Sequence, residues 1–337
     1  MKTFFKILFL FLLIAGTIYV IGRSNSSTGS FHTSEGQIFG TTYHIKYEAT
    51  QPLDSQLLAE LQRVDASLSL FNRQSTLSRI NDGRTTRADS MTATVFHLSR
   101  RIAEATGGAF DPTVAPLVNA WGFGFKNAEE MTQRTIDSLL DFVGYTKISL
   151  HNNSFVKQDS RVQLDFGAIA KGYGVDCAAR LLRDKGVKNF MVEIGGEIAT
   201  SGHNPQGKSW NIGVSRPTAD DRDEKKDVQT VIPLTDCALA TSGNYRNFYY
   251  RNGQRYAHTI SPHTGRPVEH SLLSASVIAP TCAEADAFAT AFMVMGLEKA
   301  QATLALQPQL GAYFIYAGPD STLHVWQSEG FPRPSGH

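Results

Sequence analysis

Cysteine is scarce, with three residues in a chain of 337, and none of Cys177, Cys237 and Cys282 belongs to a CxxC pair. That excludes a disulfide framework and argues against a cysteine zinc site, leaving small buried hydrophobes as the plain reading. An excess of one charge is also lacking: 32 Lys and Arg face 31 Asp and Glu, a net of +1. No electrostatic grip on nucleic acid follows from such a balance, and no nucleic-acid partner is expected. Several familiar motifs are missing too. GAIAKG (167–172) has its lysine before the second glycine and no GK[ST], and no GxGxxG joins a strand to a helix. His258 and His263 have no accompanying glutamate, and Ser242 sits in TSGN, not GxSxG. What remains is an ordinary globular composition, long enough for one large domain or two closely packed lobes.

One long apolar run is present. Lys2 and Lys6 precede ILFLFLLIAGTIYVIG (Ile7–Gly22), and counted from Phe4 the stretch reaches 19 residues with one lysine. That is near the lower limit for spanning a bilayer and slightly long for a signal peptide, and no clear A-x-A site follows. Residues 1–23 are read as a membrane anchor or signal segment, anchor preferred, with the lysines keeping that end cytoplasmic. Residues 24–36 (SNSSTGSFHTSEG) read as a flexible tether, 37–330 as the folded domain and 331–337 as a loose tail.

Within the domain, Gln37–Tyr47 reads as a strand and Leu53–Ser67, Thr92–Ala105, Arg134–Phe142 and Lys171–Lys185 as helices. Strands are expected at Asn189–Ile194, Trp210–Val214, Val228–Leu234, Ala238–Thr241, Asn247–Arg251 and Ser274–Ile278. A helix Cys282–Val294, continued by Leu297–Ala305, and a strand Gly311–Tyr316 close the chain. TADDRDEKKD (218–227) is read as a solvated loop. Helices and strands come in blocks, so the fold class is α+β, with largely antiparallel sheets and flanking helices.

Four segments carry the chemistry. In TGGAFDPT (106–113) two glycines end a helix and let a ligand touch backbone; a cap and turn would explain them equally. In LDFGAIAKGY (164–173) a strand is expected to end at Asp165 before a helix whose free amides, with Lys171, suit a phosphate. The bland alternative is an N-cap aspartate with a surface lysine. In EIGGE (193–197) a strand runs into paired glycines, as a bulge or tight turn does. The fourth segment pairs YAHTISPHTGRP (256–267) with AEADAFAT (283–290). There Asp286 and Thr290 are four apart on one helix face, a hard-oxygen site suited to magnesium shared with phosphates, or simply an i,i+4 hydrogen bond. His258 taken alone reads as a core or loop histidine.

Together these segments closely resemble the ApbE family of FAD:protein FMN transferases. The resemblance runs from about Ile38 to Ala302, through FGTTYHI, VDASLSLFNRQSTLSRIN, GGAFDPTVAPLVNAWGFG, LDFGAIAKGYGVD, VEIGGEI, ALATSGNY, HTISPHTGRP and APTCAEADAFATAFMVMG in order. It implies a T-fold-like α+β domain that splits the pyrophosphate of FAD with magnesium, or manganese in its place. FMN is then attached by a phosphoester to a threonine of an acceptor protein, and AMP is released. It implies acceptors such as subunits of sodium-pumping NADH:quinone oxidoreductases or Rnf-type complexes. It also implies work on the outer side of the cytoplasmic membrane, where the apolar run would replace the absent lipoprotein cysteine.

Carried over by motif, the resemblance places Phe39, Phe71, Ala109, Phe110, Asp111, Asp165, Lys171 and Ile260 at FAD. It places Ala168, through its carbonyl, with Asp286 and Thr290 at magnesium, and makes His258 the base for the acceptor hydroxyl. Phe39 stands where methionine is usual, and Phe71 where tyrosine is common, so a hydroxyl is lost there. Two other functions fit the same scaffold: a magnesium-dependent FAD pyrophosphatase, and a non-enzymatic flavin-binding protein, which the Asp286/Thr290 pair disfavours.

Overall fold

Period-two alternation draws eight strands into one antiparallel sheet. The computed structural model describes residues 29–123, 131–217, 228–244, 248–251, 254–257, 259–320 and 322–334. Eight strands pair in the order β1 (Ser30–Ile38), β2 (Thr41–Ala49), β5 (Phe190–Ile194), β6 (Glu197–Ser201), β9 (Ala238–Gly243), β12 (Leu272–Ala279), β13 (Gly311–Ala317) and β14 (Leu323–Gln327). Every neighbouring pair is antiparallel. Three two-stranded ribbons accompany the sheet: β3 (Ile148–His151) with β4 (Ser154–Lys157), β7 (Trp210–Ser215) with β8 (Val228–Leu234), and β10 (Phe248–Arg251) with β11 (Gln254–Ala257).

Alternate residues of the sheet serve two different cores. Val192, Ala199 and Ala238 pack with Leu57 and Leu61 of α1 (Asp54–Leu68) and with Val175 and Leu182 of α6 (Ala170–Asp184). Their immediate neighbours Met191, Ile198 and Leu239 join Trp210, Ile212 and Ile232 of the β7–β8 ribbon. The sheet is thus a middle layer, with helices on one face and a ribbon on the other. The largest core lies on the helical side, among α2 (Thr76–Asn81), α3 (Ser90–Ala105), α7 (Cys282–Met295) and α8 (Leu297–Ala305). Two short helices, α4 (Ala115–Ala120) and α5 (Gln133–Leu140), hold a smaller cluster around Trp121.

The expected helices form within a few residues of their anticipated ends, and the antiparallel α+β class holds. Four expectations are corrected. The single strand at Gln37–Tyr47 is two strands of a hairpin, turned by Phe39 (φ 53°) and Gly40 (φ 74°) between the paired Ile38 and Thr41. Two positive φ values in a two-residue turn ordinarily call for Asn-Gly, so Phe-Gly concealed it. The first strand consequently begins at Ser30, inside the stretch 24–36 read as a tether: its polar residues occupy an edge strand. No strand ends at Asp165. An extended loop runs there, in which the Asn81 side chain donates to the Leu164 carbonyl and accepts from its N–H, both at 2.8 Å. The tail is not loose at its start, because Phe331 is 2% exposed and its ring lies 5.4 Å from that of Tyr313. Residues 1–28 and the charged stretch 218–227 lie outside the described residues. No helix among the described residues is long and apolar enough to cross a membrane.

Candidate active site

The site is built where two helices meet almost backbone to backbone. Helix α7 is buried nearly all round and rich in alanine, from Ala283 to Ala291, so a neighbour can approach closely. Thr281 caps it, accepting from the Glu284 N–H, and Asp176 of α6 accepts from the N–H groups of Cys282 (2.8 Å) and Ala283 (2.9 Å). These are amides that a helix start leaves without partners. Burial pushes the Asp176 carboxyl up to about 6, against the pull of those two bonds. In return, the Gly172 N–H near the start of α6 donates to Asp286 Oδ2 at 3.1 Å. Gly172 allows this approach: a Cβ there would strike the Cys282 carbonyl and come within 2.8 Å of the Ala283 nitrogen.

Lys171, one residue earlier, reaches Glu197 Oε2 at 2.5 Å. Glu197 opens β6 after Gly195 and Gly196, and its side chain is 4% exposed. Burial alone would lower the Lys171 ammonium; Asp286 and Glu197 outweigh it and leave the group above its ordinary value. Burial raises both carboxyls, Glu197 further by the charge of Asp286, while Lys171 opposes the rise in each. Two buried acids therefore share one cation, and Glu197 Oε2 lacks a hydrogen bond of good geometry. That deficit of positive charge, beside the Thr290 hydroxyl and the Ala168 peptide group, suits a hard divalent cation. No group of three or more His, Cys, Asp or Glu gathers for a metal among the described residues, so hydroxyl and carbonyl oxygens would complete any such site.

These groups face a cleft of about 1640 Å³. That volume exceeds the roughly 300–1,000 Å³ of ordinary small-molecule pockets and suits an extended ligand. The structure brings Phe71, Ala109, Phe110, Asp111, Asp165, Ala168, Lys171, Ile260, Asp286 and Thr290 into its walls. Phe71 is 82% exposed and forms part of the rim. Phe39 is not among the lining residues: its ring packs over Gly174, where a Cβ would come within 2.5 Å of it. His258 lies outside the described residues.

Two carboxylates serve the walls as well as the space. Asp111 Oδ1 accepts from the N–H (2.8 Å) and hydroxyl (2.6 Å) of Thr113, and Oδ2 from the Tyr145 N–H (2.8 Å). It pins the loop after the paired glycines, and burial raises its carboxyl despite those bonds. Asp165 Oδ1 accepts from the Gly167 N–H at 2.7 Å, shaping the turn that presents Ala168; burial raises it too.

Sequence reasoning missed Glu197, which lay in a segment read as a bulge or tight turn. An acid followed by Ile198 and Ala199 at the start of an inner strand was the available signal. Ser242, set aside as no hydrolase nucleophile, shares a 3.0 Å hydrogen bond with the Thr290 hydroxyl. Arg73 and Arg161 also line the cleft and went unremarked, since single arginines in loops carry no pattern.

Comparison with known proteins gives likenesses over most of the chain. The model of the ApbE family matches residues 39–314. The chain is 37% identical over 278 residues to a Vibrio cholerae protein named FAD:protein FMN transferase, covering 79% of this chain and 82% of that one. An Escherichia coli protein of the same name is 34% identical over 311 residues, covering 88% and 87%. The solved flavin transferase ApbE from Vibrio cholerae superposes with a TM-score of 0.80 at 35% identity, over 90% of this chain and 98% of that one.

Proposed function

This chain belongs to the ApbE family, and from that premise we propose that it is a magnesium-dependent FAD:protein FMN transferase. The observation that carries the proposal is the buried cluster of Lys171, Glu197 and Asp286 on a dinucleotide-sized cleft. Cleaving a pyrophosphate with an oxygen nucleophile requires positive charge at a phosphorus already surrounded by anionic oxygens. Magnesium, when bound, would supply part of that charge as a Lewis acid, and Asp286, Thr290 and the Ala168 carbonyl are the groups that would hold it.

The chain's own residues do the rest. Lys171, locked by Glu197, directs a cation toward the phosphates and stabilises the charge that builds as AMP departs. Phe71 and the apolar wall of Ala109, Phe110 and Ile260 hold the planar part of the ligand. His258 takes the proton from the acceptor threonine as its oxygen bonds to the FMN phosphorus. The bond from that phosphorus to the bridging oxygen breaks, and AMP leaves with the electron pair. The acceptor is a threonine-bearing subunit of a sodium-pumping NADH:quinone oxidoreductase or Rnf-type complex. The run 1–23 holds the enzyme at the cytoplasmic membrane, with its catalytic domain on the outer side.

The test is incubation with FAD, magnesium and such an acceptor domain, read by intact-protein mass. Addition of FMN to the acceptor with release of AMP is the expected result. Free FMN with an unmodified acceptor would make the protein a FAD pyrophosphatase.

A further inference from the structure

The segment following His258 separates two clefts. Ile260 and Pro262 line the FAD cleft, whereas Ser261, His263 and Thr264 line a second cleft of about 1150 Å³. Ala109 and Val294 belong to both sets of walls, so the two spaces adjoin. The partition is rigid. Ser261 donates its N–H to the Arg266 carbonyl and accepts from the Gly265 N–H, each at 2.9 Å, and Trp121 Nε1–H donates to the Gly265 carbonyl at 2.7 Å. Gly265, at φ 65°, sits so close to α5 that a Cβ would come within 2.6 Å of Ile136.

We propose that this second cleft seats the acceptor polypeptide around its target threonine, and that it selects an acidic segment. The proposal rests on the transferase reading above. With a dinucleotide filling the first cleft, a macromolecular nucleophile needs an opening of its own that leads to the same phosphorus. The second cleft adjoins the first at Ala109 and Val294, beside the segment that continues from His258. Its charge supplies the selectivity. Arg266 and Lys299 are exposed on its walls, and neither has an ion-pair partner among the described residues; the Arg266 guanidinium donates to Gln133 Oε1 at 2.7 Å. Glu269 is the one carboxylate among the described lining residues. Met295 supplies apolar surface for the rest of a chain segment.

The experiment uses the full chain, FAD, magnesium and the soluble threonine-bearing domain of a sodium-pumping NADH:quinone oxidoreductase subunit as acceptor. Arg266→Glu with Lys299→Glu should raise the acceptor KM about tenfold or more, since like charges now face each other. FAD affinity, followed by flavin fluorescence, and kcat at saturating acceptor should stay within about twofold, because neither residue lines the first cleft. Lys299→Gln, which removes charge without reversing it, should move the KM in the same direction by less. An unchanged acceptor KM overturns the docking site while leaving transfer intact. A parallel loss of FAD affinity overturns it by assigning the second cleft to the dinucleotide. A wild-type protein that releases FMN but never modifies the acceptor overturns the transferase reading, and this proposal with it.

Discussion

A single methyl group at Gly172 should separate the two helices that make the site. The Cβ of Gly172→Ala would meet the backbone of Cys282 and Ala283, which cannot rotate away as a side chain can. Overpacking of this kind costs about 1–3 kcal/mol. If α6 retreats, the 3.1 Å bond from the Gly172 N–H to Asp286 is lost as well. A bond to a buried charged group is worth about 1.5–3 kcal/mol. Alanine returns about 1 kcal/mol as the better helix former. The balance is a loss of roughly 1.5–5 kcal/mol, which lowers the melting temperature by about 2–8 °C in a domain of this size. Gly174→Ala is the matched control: same helix, same gain in propensity, but its Cβ meets the ring of Phe39, which can swing aside. It should cost no more than about 1 kcal/mol. Thermal unfolding by circular dichroism measures both, and the rate of FMN transfer to the acceptor should fall about 100-fold in Gly172→Ala alone. A Gly172→Ala protein that melts at or above wild type, with normal turnover, would refute the account of the crossing.

Removing the carboxylate itself, with Asp286→Ala, should lower magnesium-dependent turnover by about 10²–10³ while circular dichroism stays unchanged; wild-type turnover at ordinary magnesium would sink the metal assignment. His258→Ala should slow single-turnover transfer by about 10²–10⁴ and leave FAD affinity nearly untouched, since a base acts on the nucleophile; a normal rate at saturating FAD rules out that role. Asp176 titrates near 6 in the folded protein against an ordinary 3.8, so the native state binds the extra proton and stability falls as pH rises from about 4 to 6. Asp176→Asn should flatten that part of the stability curve by about 3 kcal/mol, measured by urea unfolding at several pH values; an unaltered curve would show that the carboxyl is not the source. Phe331→Ala should destabilise by about 3–4 kcal/mol, since a ring 2% exposed leaves a cavity; a change below 1 kcal/mol in urea unfolding would restore the tail to a loose appendage.

The legible parts of this chain are those in which one local rule decides the outcome. Leu57, Leu61, Val64 and Leu68 fall on one face of α1 and are buried there, as their spacing required. Asp286 and Thr290, four residues apart on α7, do line one cleft. The parts that stayed hidden depend on partners distant in sequence. Leu164 sits in an apolar stretch that looks like a strand, yet a side-chain amide 83 residues earlier satisfies its peptide groups and removes the need for a neighbouring strand. Phe39 resembles a ligand contact by motif, but the missing side chain at Gly174 draws the ring against α6. Asp111 was expected at FAD, and it lines the cleft while spending its hydrogen bonds on Thr113 and Tyr145.

Glu197 was hidden for a different reason, and it shows why the cluster belongs to function more than to stability. A lysine in the first turn of a helix faces the positive end of the helix dipole, a placement that costs about 0.3–1 kcal/mol when nothing opposes it. At Lys171 two carboxylates oppose it, from a strand and from another helix. Burying those carboxylates is itself unfavourable, as the upward shift of both shows. A chain selected for stability alone would fill this corner with apolar side chains, which usually match or exceed a buried ion pair. The charges are instead held together at the wall of an open cleft, around a glycine contact that tolerates no added atom. Such an arrangement keeps a cation and two acids fixed before any ligand arrives, so little reorganisation is left for the moment at which charge moves between phosphates.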